Sequence, residues 1–307
     1  MTAQPDGTAR TDAAERPDGP DRAAVRRIPV PPPEGPLTTA GRALLEQHRA
    51  WEAIEPLRRA VAVREPGSVD LLVRAYLDSG SWTAAIEFLA PLLEQGHLEF
   101  AGRLGVALAE LGDHTRAEQM LRLAVAQREL PAANDLALLL YADGRFAEAV
   151  RVLTDAAEAG DGQAPDNLVA LHLEAEDLAA AVEAAERYAD EGRPDTLVAL
   201  ADVRAVQGRT EEAESLYRRA GRLGAVRTHT AYAAFLLARG DLDGAEREYL
   251  EAERHNEPGW AGTIGRFLLD TGRPDAARWY LEMAVSWGDR AAAETLAELE
   301  GVDPTDD

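Results

Sequence analysis

Apolar residues recur along this chain at helical spacing, in segments that are broken at regular intervals. Ala85, for example, is followed by Leu89, Leu92 and Leu93, at positions i+4, i+7 and i+8. This spacing places apolar side chains on one face of an α-helix. No segment shows convincingly the alternation with period two that a half-buried β-strand requires. The pattern therefore predicts an all-α protein built from many short helices.

The breaks between helices recur every 32 residues. Of the eight loop positions, six are glycine in a chain with only 25 glycines: His48, Gly80, Gly112, Gly144, Glu176, Gly208, Gly240 and Gly272. The residue five positions later is always alanine: Ala53, Ala85, Ala117, Ala149, Ala181, Ala213, Ala245 and Ala277. Because the spacing never drifts from 32, the pattern predicts eight repeats in a fixed register.

A second break, 16 residues after the first, divides each repeat into helix A, which precedes the loop position, and helix B, which follows it. It is occupied by Arg64, Gly96, Arg128, Gly160, Gly192, Gly224, Asn256 and Gly288. Glycine and asparagine favour the left-handed backbone that ends a helix. Just after the loop position stand Ser81, Asp113, Asp177 and Asp241, whose side-chain oxygens we expect to cap helix B.

The repeats resemble those of the tetratricopeptide (TPR) family. In repeat 3 the matching residues are Leu104, Gly105 and Leu108 in helix A, and Ala117, Leu121 and Ala124 in helix B. The period of 32 instead of 34, the missing helix A tryptophan and the displaced proline depart from the family pattern. Residues 157–160 are similar to the related Sel1-like repeats. The resemblance covers residues 37–288 and implies a right-handed α-solenoid of eight helix-turn-helix repeats.

The repeats are flanked by segments of different composition. Residues 289–300 place Ala292, Leu296 and Leu299 on one face, which predicts a C-terminal capping helix. Residues 1–36, rich in Pro, Gly, Asp and Ala, are predicted to be disordered, with polyproline II at residues 29–33. Residues 301–307 are predicted to form a second, acidic disordered tail. We expect the 32-residue repeats between them to form an open, curved array.

Charge and hydropathy limit the classes of partner. The chain carries 55 acidic and 32 basic residues, giving a net charge of −23. A field of this sign repels nucleic acid and anionic membranes, whereas it favours a basic protein partner. The alternative, that the acid excess serves solubility alone, stays open.

Because no apolar run is long enough for a membrane span or a secretory signal, we expect a cytoplasmic protein. The excess of alanine, arginine and glycine is similar to that of GC-rich bacteria.

Most familiar catalytic and cofactor sites are excluded by composition. The chain contains no cysteine and no lysine, which removes thiolate metal sites, phosphate-binding lysines and Schiff-base chemistry. The six histidines are dispersed, and the pairs Glu211–Glu212 and Glu246–Glu248 belong to helix surfaces facing solvent. We therefore expect a protein that is not an enzyme and has no metal or cofactor. Trp279, Tyr280 and Trp287 are expected to pack in the core or to form a dimerisation patch, and we expect a monomer or a weak homo-oligomer.

The resemblance implies that helix A lines a concave face that contacts peptides or partner helices. The candidate binding residues there are Asp70, Arg74, Arg103, Asn134, Asp135, Tyr141, Asp166, Asn167 and Asp202. Asp195, Arg227, Arg266 and Asp270 fall on the same faces. Asn134 and Asn167 are expected either to bracket a peptide backbone or to form local hydrogen bonds at helix ends.

The expected function is that of a non-catalytic scaffold or adaptor, which binds a partner protein or peptide segment in the concave groove. One alternative is a peptide-responsive regulatory sensor, although no basic recognition helix precedes the repeats. A second alternative is a helical-toroid enzyme using paired carboxylates, which would require a deep closed cavity.

Overall fold

The computed structural model describes residues 35–301. Of the tails expected at 1–36 and 301–307, residues 1–34, with the polyproline segment at 29–33, and residues 302–307 lie outside this range. The described residues form seventeen α-helices and no β-strand, apart from one 3₁₀ turn (Leu98–Phe100) and one isolated bridge between Asp190 and Arg193. The all-α solenoid predicted from the sequence is confirmed.

Each repeat contributes two helices, as the register predicts. The A helices are α1 (Pro36–Glu46), α3 (Ser68–Asp78), α5 (Ala101–Glu110), α7 (Ala132–Ala142), α9 (Ala164–Glu174), α11 (Asp195–Val206), α13 (Thr228–Ala238) and α15 (Trp260–Asp270). The B helices are α2 (Ala50–Ala62), α4 (Trp82–Glu94), α6 (His114–Ala126), α8 (Phe146–Glu158), α10 (Leu178–Tyr188), α12 (Thr210–Leu223), α14 (Leu242–Arg254) and α16 (Pro274–Ser286). A final helix, α17, spans Arg290–Glu300 and packs on α15 and α16.

Consecutive helices pack against each other along the chain, and most A helices also contact the A helix of the next repeat. This nearest-neighbour pattern is that of a solenoid, in which each helix pair buries its apolar face only against adjacent pairs. The first helix begins at Pro36, one residue earlier than expected, because proline at the first helical position lacks only an N–H that the helix leaves unused.

The two breaks in each repeat have a conformational cause. All eight loop positions adopt positive φ, between 57° at His48 and 80° at Gly240. Glycine enters this left-handed region without steric cost, which explains why it dominates there. At the second break seven of the eight residues also have positive φ. The expectation is wrong at Gly192, because α10 ends early at Tyr188 and residues 190–193 form the isolated bridge instead.

The spacing of small residues, which is the same in each repeat, reflects close packing between helices A and B. All eight helix B alanines are fully buried, with 0% exposure. In repeat 3, a Cβ added at Gly105 would lie only 2.7 Å from Cγ of Leu121, so the leucine occupies the space that a side chain would need. Repeat 5 reverses the sizes, with Val169 on helix A and Ala185 on helix B, both buried. In repeats 3 and 5, complementary volumes therefore fill this contact.

Three of the four predicted helix caps are confirmed. The carboxylates of Asp113, Asp177 and Asp241 accept hydrogen bonds from the backbone N–H three residues later, at 3.2, 3.1 and 2.9 Å. The prediction is wrong for Ser81, whose hydroxyl oxygen instead accepts a hydrogen bond from the hydroxyl of Ser79 at 2.9 Å. A neighbouring hydroxyl therefore competes with the backbone for this short side chain.

The two ends of the repeat array meet, contrary to the open array expected from the sequence. The imidazole ring of His48 in repeat 1 lies 4.9 Å from the indole of Trp287, which follows helix B of repeat 8. A Cβ added at Gly288 would lie 3.0 Å from the carbonyl oxygen of Asp78 in repeat 2. Closure depends on small rotations between successive repeats, which accumulate over the array and which the residue register does not specify.

Candidate protein-binding surface

One row of helix A side chains faces away from the core in all eight repeats. It consists of the residues six positions before each loop: Arg42, Arg74, Val106, Leu138, Ala170, Asp202, Ala234 and Arg266. All of them are exposed or half-buried, and Leu138 is 63% exposed. The row is apolar in repeats 3 to 5 and carries arginine in repeats 1, 2 and 8. Its centre therefore presents apolar surface to solvent.

Beside the apolar part of this row lies a small cavity, which we call the aspartate pocket. It is formed by α9, α11 and the residue preceding α13, and encloses about 150 Å³. Asp166, Asp195 and Asp202 line it together with Arg227. Val169 and Val198 supply apolar lining. The pocket therefore combines three carboxyl groups with an apolar wall, in repeats 5 to 7.

The three carboxyl groups differ in their hydrogen bonds. Asp195 accepts from the backbone N–H of Val226 at 2.7 Å, which ties α11 to the next repeat. Asp202 accepts from the hydroxyl of Tyr217 at 2.5 Å. The Oδ1 atom of Asp166 is buried and has no hydrogen-bond partner among the described residues. A buried oxygen without a partner is costly, so Asp166 is the member of the pocket that a ligand would satisfy.

Burial changes the protonation of two of these groups. It raises the pKa of Asp166 to about 7, and the neighbouring charge of Asp195 adds to this effect. Burial also raises the pKa of Asp202 to about 6, although the hydrogen bond from Tyr217 partly opposes it. The positive charge of Arg227 lowers both pKa values but does not cancel the effect of burial. A second cation in the pocket would favour the ionised carboxylates.

The predicted asparagines form a hydrogen-bonded pair next to the pocket. Asn134 is buried, and its amide nitrogen donates to Oδ1 of Asp161 at 3.2 Å. The amide nitrogen of Asn167 donates to Oδ1 of Asn134 at 2.8 Å. Asp161 in turn accepts from the backbone N–H of Ala164 at 2.7 Å. This geometry favours local hydrogen bonding for Asn134, whereas Asn167 is half-buried and lines the pocket.

Three predicted residues lie away from the pocket, in repeats 2 and 3. Asp70 and Arg103 form an ion pair of 2.8 Å between α3 and α5. Arg74 pairs with Asp78 within α3 at 3.0 Å. These exposed side chains already have partners of opposite charge. They are therefore less ready than the aspartate pocket to receive a charged ligand.

The two remaining predicted residues lie on α7 and are half-buried. Burial and the charge of Glu129 raise the pKa of Asp135. The ring of Tyr141 packs edge-on against Phe146 at 6.3 Å, so it contributes to contacts between helices A and B. Of the nine predicted residues, the fold brings Asp166, Asn167 and Asp202 together in one cavity.

A structural role for part of the acidic excess was missed at the level of sequence. Glu65 accepts from the backbone N–H of Thr38 at 2.7 Å, and Glu257 accepts from those of His229 and Thr230 at 2.8 and 2.9 Å. Glu65 thereby caps the start of α1, and Glu257 caps the start of α13. Each is the helix A that lies one repeat earlier in the chain. The position 17 residues after the loop is acidic in five repeats, at Glu65, Glu129, Asp161, Glu257 and Asp289. Asp161 and Asp289 instead accept from backbone N–H groups of the helix that follows them, so the pattern alone does not indicate which helix is capped.

The aromatic residues near the C-terminus divide between core and surface. Trp260 packs against Tyr280 at 5.9 Å and against Trp287 at 5.5 Å. Trp279 is 54% exposed.

None of the described helices is long and apolar enough to cross a membrane. Within residues 35–301 no group of three or more His, Asp or Glu side chains is arranged to hold a metal ion.

Comparison with known proteins identifies the repeats. One family model described as a tetratricopeptide repeat matches residues 71–134, and a second with the same description matches residues 130–153, 194–219 and 226–251. A sequence search of curated proteins gave no match.

Solved structures that are similar to this chain share little sequence identity with it. A tetratricopeptide repeat protein from Parabacteroides merdae is 14% identical, with a TM-score of 0.49 over 86% of this chain and 96% of that one. A thermophilic TPR protein from Thermus thermophilus is 19% identical, with a TM-score of 0.45 over 56% of this chain and 100% of that one. A chain of the APC/C hetero-tetramer Cut9–Hcn1 is 14% identical, with a TM-score of 0.44. The match covers 86% of this chain but only 55% of that one. The family matches agree with the 32-residue register, and the matched segments of this chain are tetratricopeptide-like repeats.

Proposed function

We propose that the chain is a non-catalytic scaffold or adaptor that binds an extended segment of a partner protein in a concave groove lined by helix A. Tetratricopeptide repeats support interactions between proteins in general. The observation that carries the proposal is the aspartate pocket, where the buried Oδ1 atom of Asp166 lacks a partner beside an exposed apolar row. A bound segment would supply what this surface lacks: apolar cover and a hydrogen-bond donor.

The chemistry of the pocket favours a basic side chain in the bound segment. A guanidinium or ammonium group would donate hydrogen bonds to Asp166 and Asp202 and would favour their ionised forms. Apolar residues next to it would cover Leu138 and Ala170, which are exposed on the adjacent helices. Because the pKa values of Asp166 and Asp202 are about 7 and about 6, such binding releases protons near neutral pH.

The net charge supports the same class of partner. A net charge of −23 attracts a basic segment over several ångströms and raises its association rate at low salt. Part of the acidic excess caps helix A, as Glu65 and Glu257 do, so total charge alone is not the recognition element. The proposed recognition element is the unpartnered carboxyl group of Asp166, at its position in the aspartate pocket.

Selection from a random peptide library displayed on phage tests the proposal. We expect the enriched peptides to combine arginine or lysine with apolar residues. For a selected peptide, the double variant Asp166→Asn/Asp202→Asn is expected to weaken binding about tenfold or more, since an ion pair with a buried carboxylate is lost. Binding to the parent protein should tighten as the pH rises from 5 to 8.

The matched control removes the same charge from exposed positions on helix B, in the variant Glu94→Gln/Glu282→Gln. It should bind the selected peptide almost as tightly as the parent protein. Equal weakening by both double variants, or enrichment of acidic peptides, would exclude recognition by the aspartate pocket.

The other two functions considered from the sequence have less support. A helical-toroid enzyme needs a deep cavity with paired carboxylates, and the aspartate pocket encloses only about 150 Å³, whereas small-molecule sites are typically about 300–1,000 Å³. Two larger cavities, of about 370 and 360 Å³, are each lined by a single carboxylate, Glu248 or Glu87. A peptide-responsive sensor would use the same helix A surface and stays a prediction.

A further inference from the structure

The contact between the ends of the array joins residues that are unusual for their positions in the repeat. Six of the eight loop positions are glycine, whereas repeat 1 has His48 there, with a φ of 57°. A side chain in the left-handed region carries a steric cost. The ring of this histidine lies 4.9 Å from the indole of Trp287, at an interplanar angle of 37°.

Trp287 is equally unusual in its register. The residue 15 positions after the loop is, from repeat 1 to repeat 8, Val63, Gln95, Gln127, Ala159, Glu191, Leu223, His255 and Trp287. Tryptophan therefore occurs at this position only in the last repeat, which is the repeat that meets repeat 1. Trp287 also contacts Trp260 edge-on at 5.5 Å, which fixes the indole against the last helix pair.

Gly288 adds a backbone contact to the ring contact. Its φ is 87°, and a Cβ at this position would lie 3.0 Å from the carbonyl oxygen of Asp78. Positive φ alone does not require glycine here, because Arg64 and Arg128 adopt it at the equivalent positions, with φ of 58° and 65°. The close approach of the Asp78 backbone is the additional reason for glycine at 288.

The contact is small compared with the packing between neighbouring repeats. His48 and Gly288 remain exposed, and Trp287 is half-buried. Adjacent helices within the array, by contrast, bury leucines and alanines completely. The contact between the ends is therefore weaker than the packing between neighbouring repeats.

We propose that His48, Asp78, Trp287 and Gly288 form a latch that holds the repeat array closed, and that this latch opens to admit a partner to the helix A surface. The first half of the proposal rests on the contacts between repeats 1, 2 and 8 alone. The second half rests on the proposed function. The two halves are tested separately.

The closed state is measured with a short-range reporter. Because the chain has no cysteine, the variant Gln47→Cys/Ser286→Cys, at two exposed positions beside the latch, accepts pyrene maleimide at these two positions alone. Pyrene excimer emission requires direct contact of the labels, so the closed array should show it at all protein dilutions. Adding Trp287→Ala or Gly288→Ala should reduce the excimer fraction at least twofold.

Gly160→Ala is the matched control. Gly160 occupies the equivalent position in repeat 4 with a φ of 97°, but no atom lies within 4 Å of a Cβ added there. It therefore introduces the same backbone strain without touching another repeat, and the excimer should be retained. Circular dichroism should show that Gly288→Ala and Gly160→Ala both keep their helices. The proposed latch would be overturned if the labelled parent showed no excimer, or if Gly288→Ala and Gly160→Ala gave the same excimer fraction.

Access to helix A is tested by locking the latch. The same two cysteines are bridged with a short bismaleimide, and the association rate of a peptide selected on the parent protein is measured by stopped flow. If the latch admits the partner, the bridged protein should bind at least tenfold more slowly than the unbridged one. An unchanged rate would overturn this half. Failure to select any peptide would count against the proposed function, while the excimer result stands independently.

Discussion

The carboxyl group of Asp166 carries the chemistry of the helix A surface at the scale of single residues. Its Oδ1 atom is buried without a partner among the described residues, and burial raises its pKa to about 7. The sequence predicts Asp166, Asn167 and Asp202 on helix A. Their assembly with Asp195 and Arg227 into one cavity depends on the packing of three repeats, which a single-helix pattern does not contain.

The raised pKa of Asp166 predicts a stability effect that depends on pH. Between pH 4 and 7 the folded state holds a proton that the unfolded state has lost, so ionisation at higher pH destabilises the fold. Asp166→Asn should therefore increase the free energy of unfolding at pH 8 by about 1–3 kcal/mol, with a smaller gain at pH 5. Urea unfolding at the two pH values measures it, with Glu94→Gln as the control. A gain that is larger at pH 5 would contradict the raised pKa.

At the scale of elements, the register predicted most of the local structure. Loop glycines, buried alanines and aspartate caps follow from local rules that act within one helix or one turn. Ser81 and Gly192 departed from the prediction because a neighbouring side chain or a different turn offered the backbone another arrangement. The acidic caps of helix A were missed because donor and acceptor are separated by about one repeat, as for Glu65 and Thr38.

The contact between helices A and B predicts a compensating pair of substitutions. Gly105→Val should destabilise repeat 3 by about 1–3 kcal/mol, since its side chain would overlap Leu121. Adding Leu121→Ala recreates the sizes found at Val169 and Ala185 in repeat 5, so the double variant should be more stable than the sum of the single effects. Thermal unfolding of the four proteins of this cycle measures the coupling. Additive effects would show that the two positions do not share one space.

At the scale of the whole described array, closure was the main property that the sequence did not predict. Each repeat has its own fixed register, but the contact of His48 with Trp287 depends on the accumulated geometry of eight repeats. The unusual residues at these two positions were visible in the sequence. Without the fold, nothing indicated that they were neighbours, because they are separated by nearly the whole repeat array.

Hydrogen exchange with and without a phage-selected peptide is the most direct test of binding along helix A. The peptide should slow exchange of backbone amides in α7, α9 and α11 and at the start of α13, which surround Leu138 and the aspartate pocket. The B helices α8, α10 and α12 should change less. Protection confined to the B helices, or none in α9 and α11 at saturating peptide, would contradict partner binding on this surface.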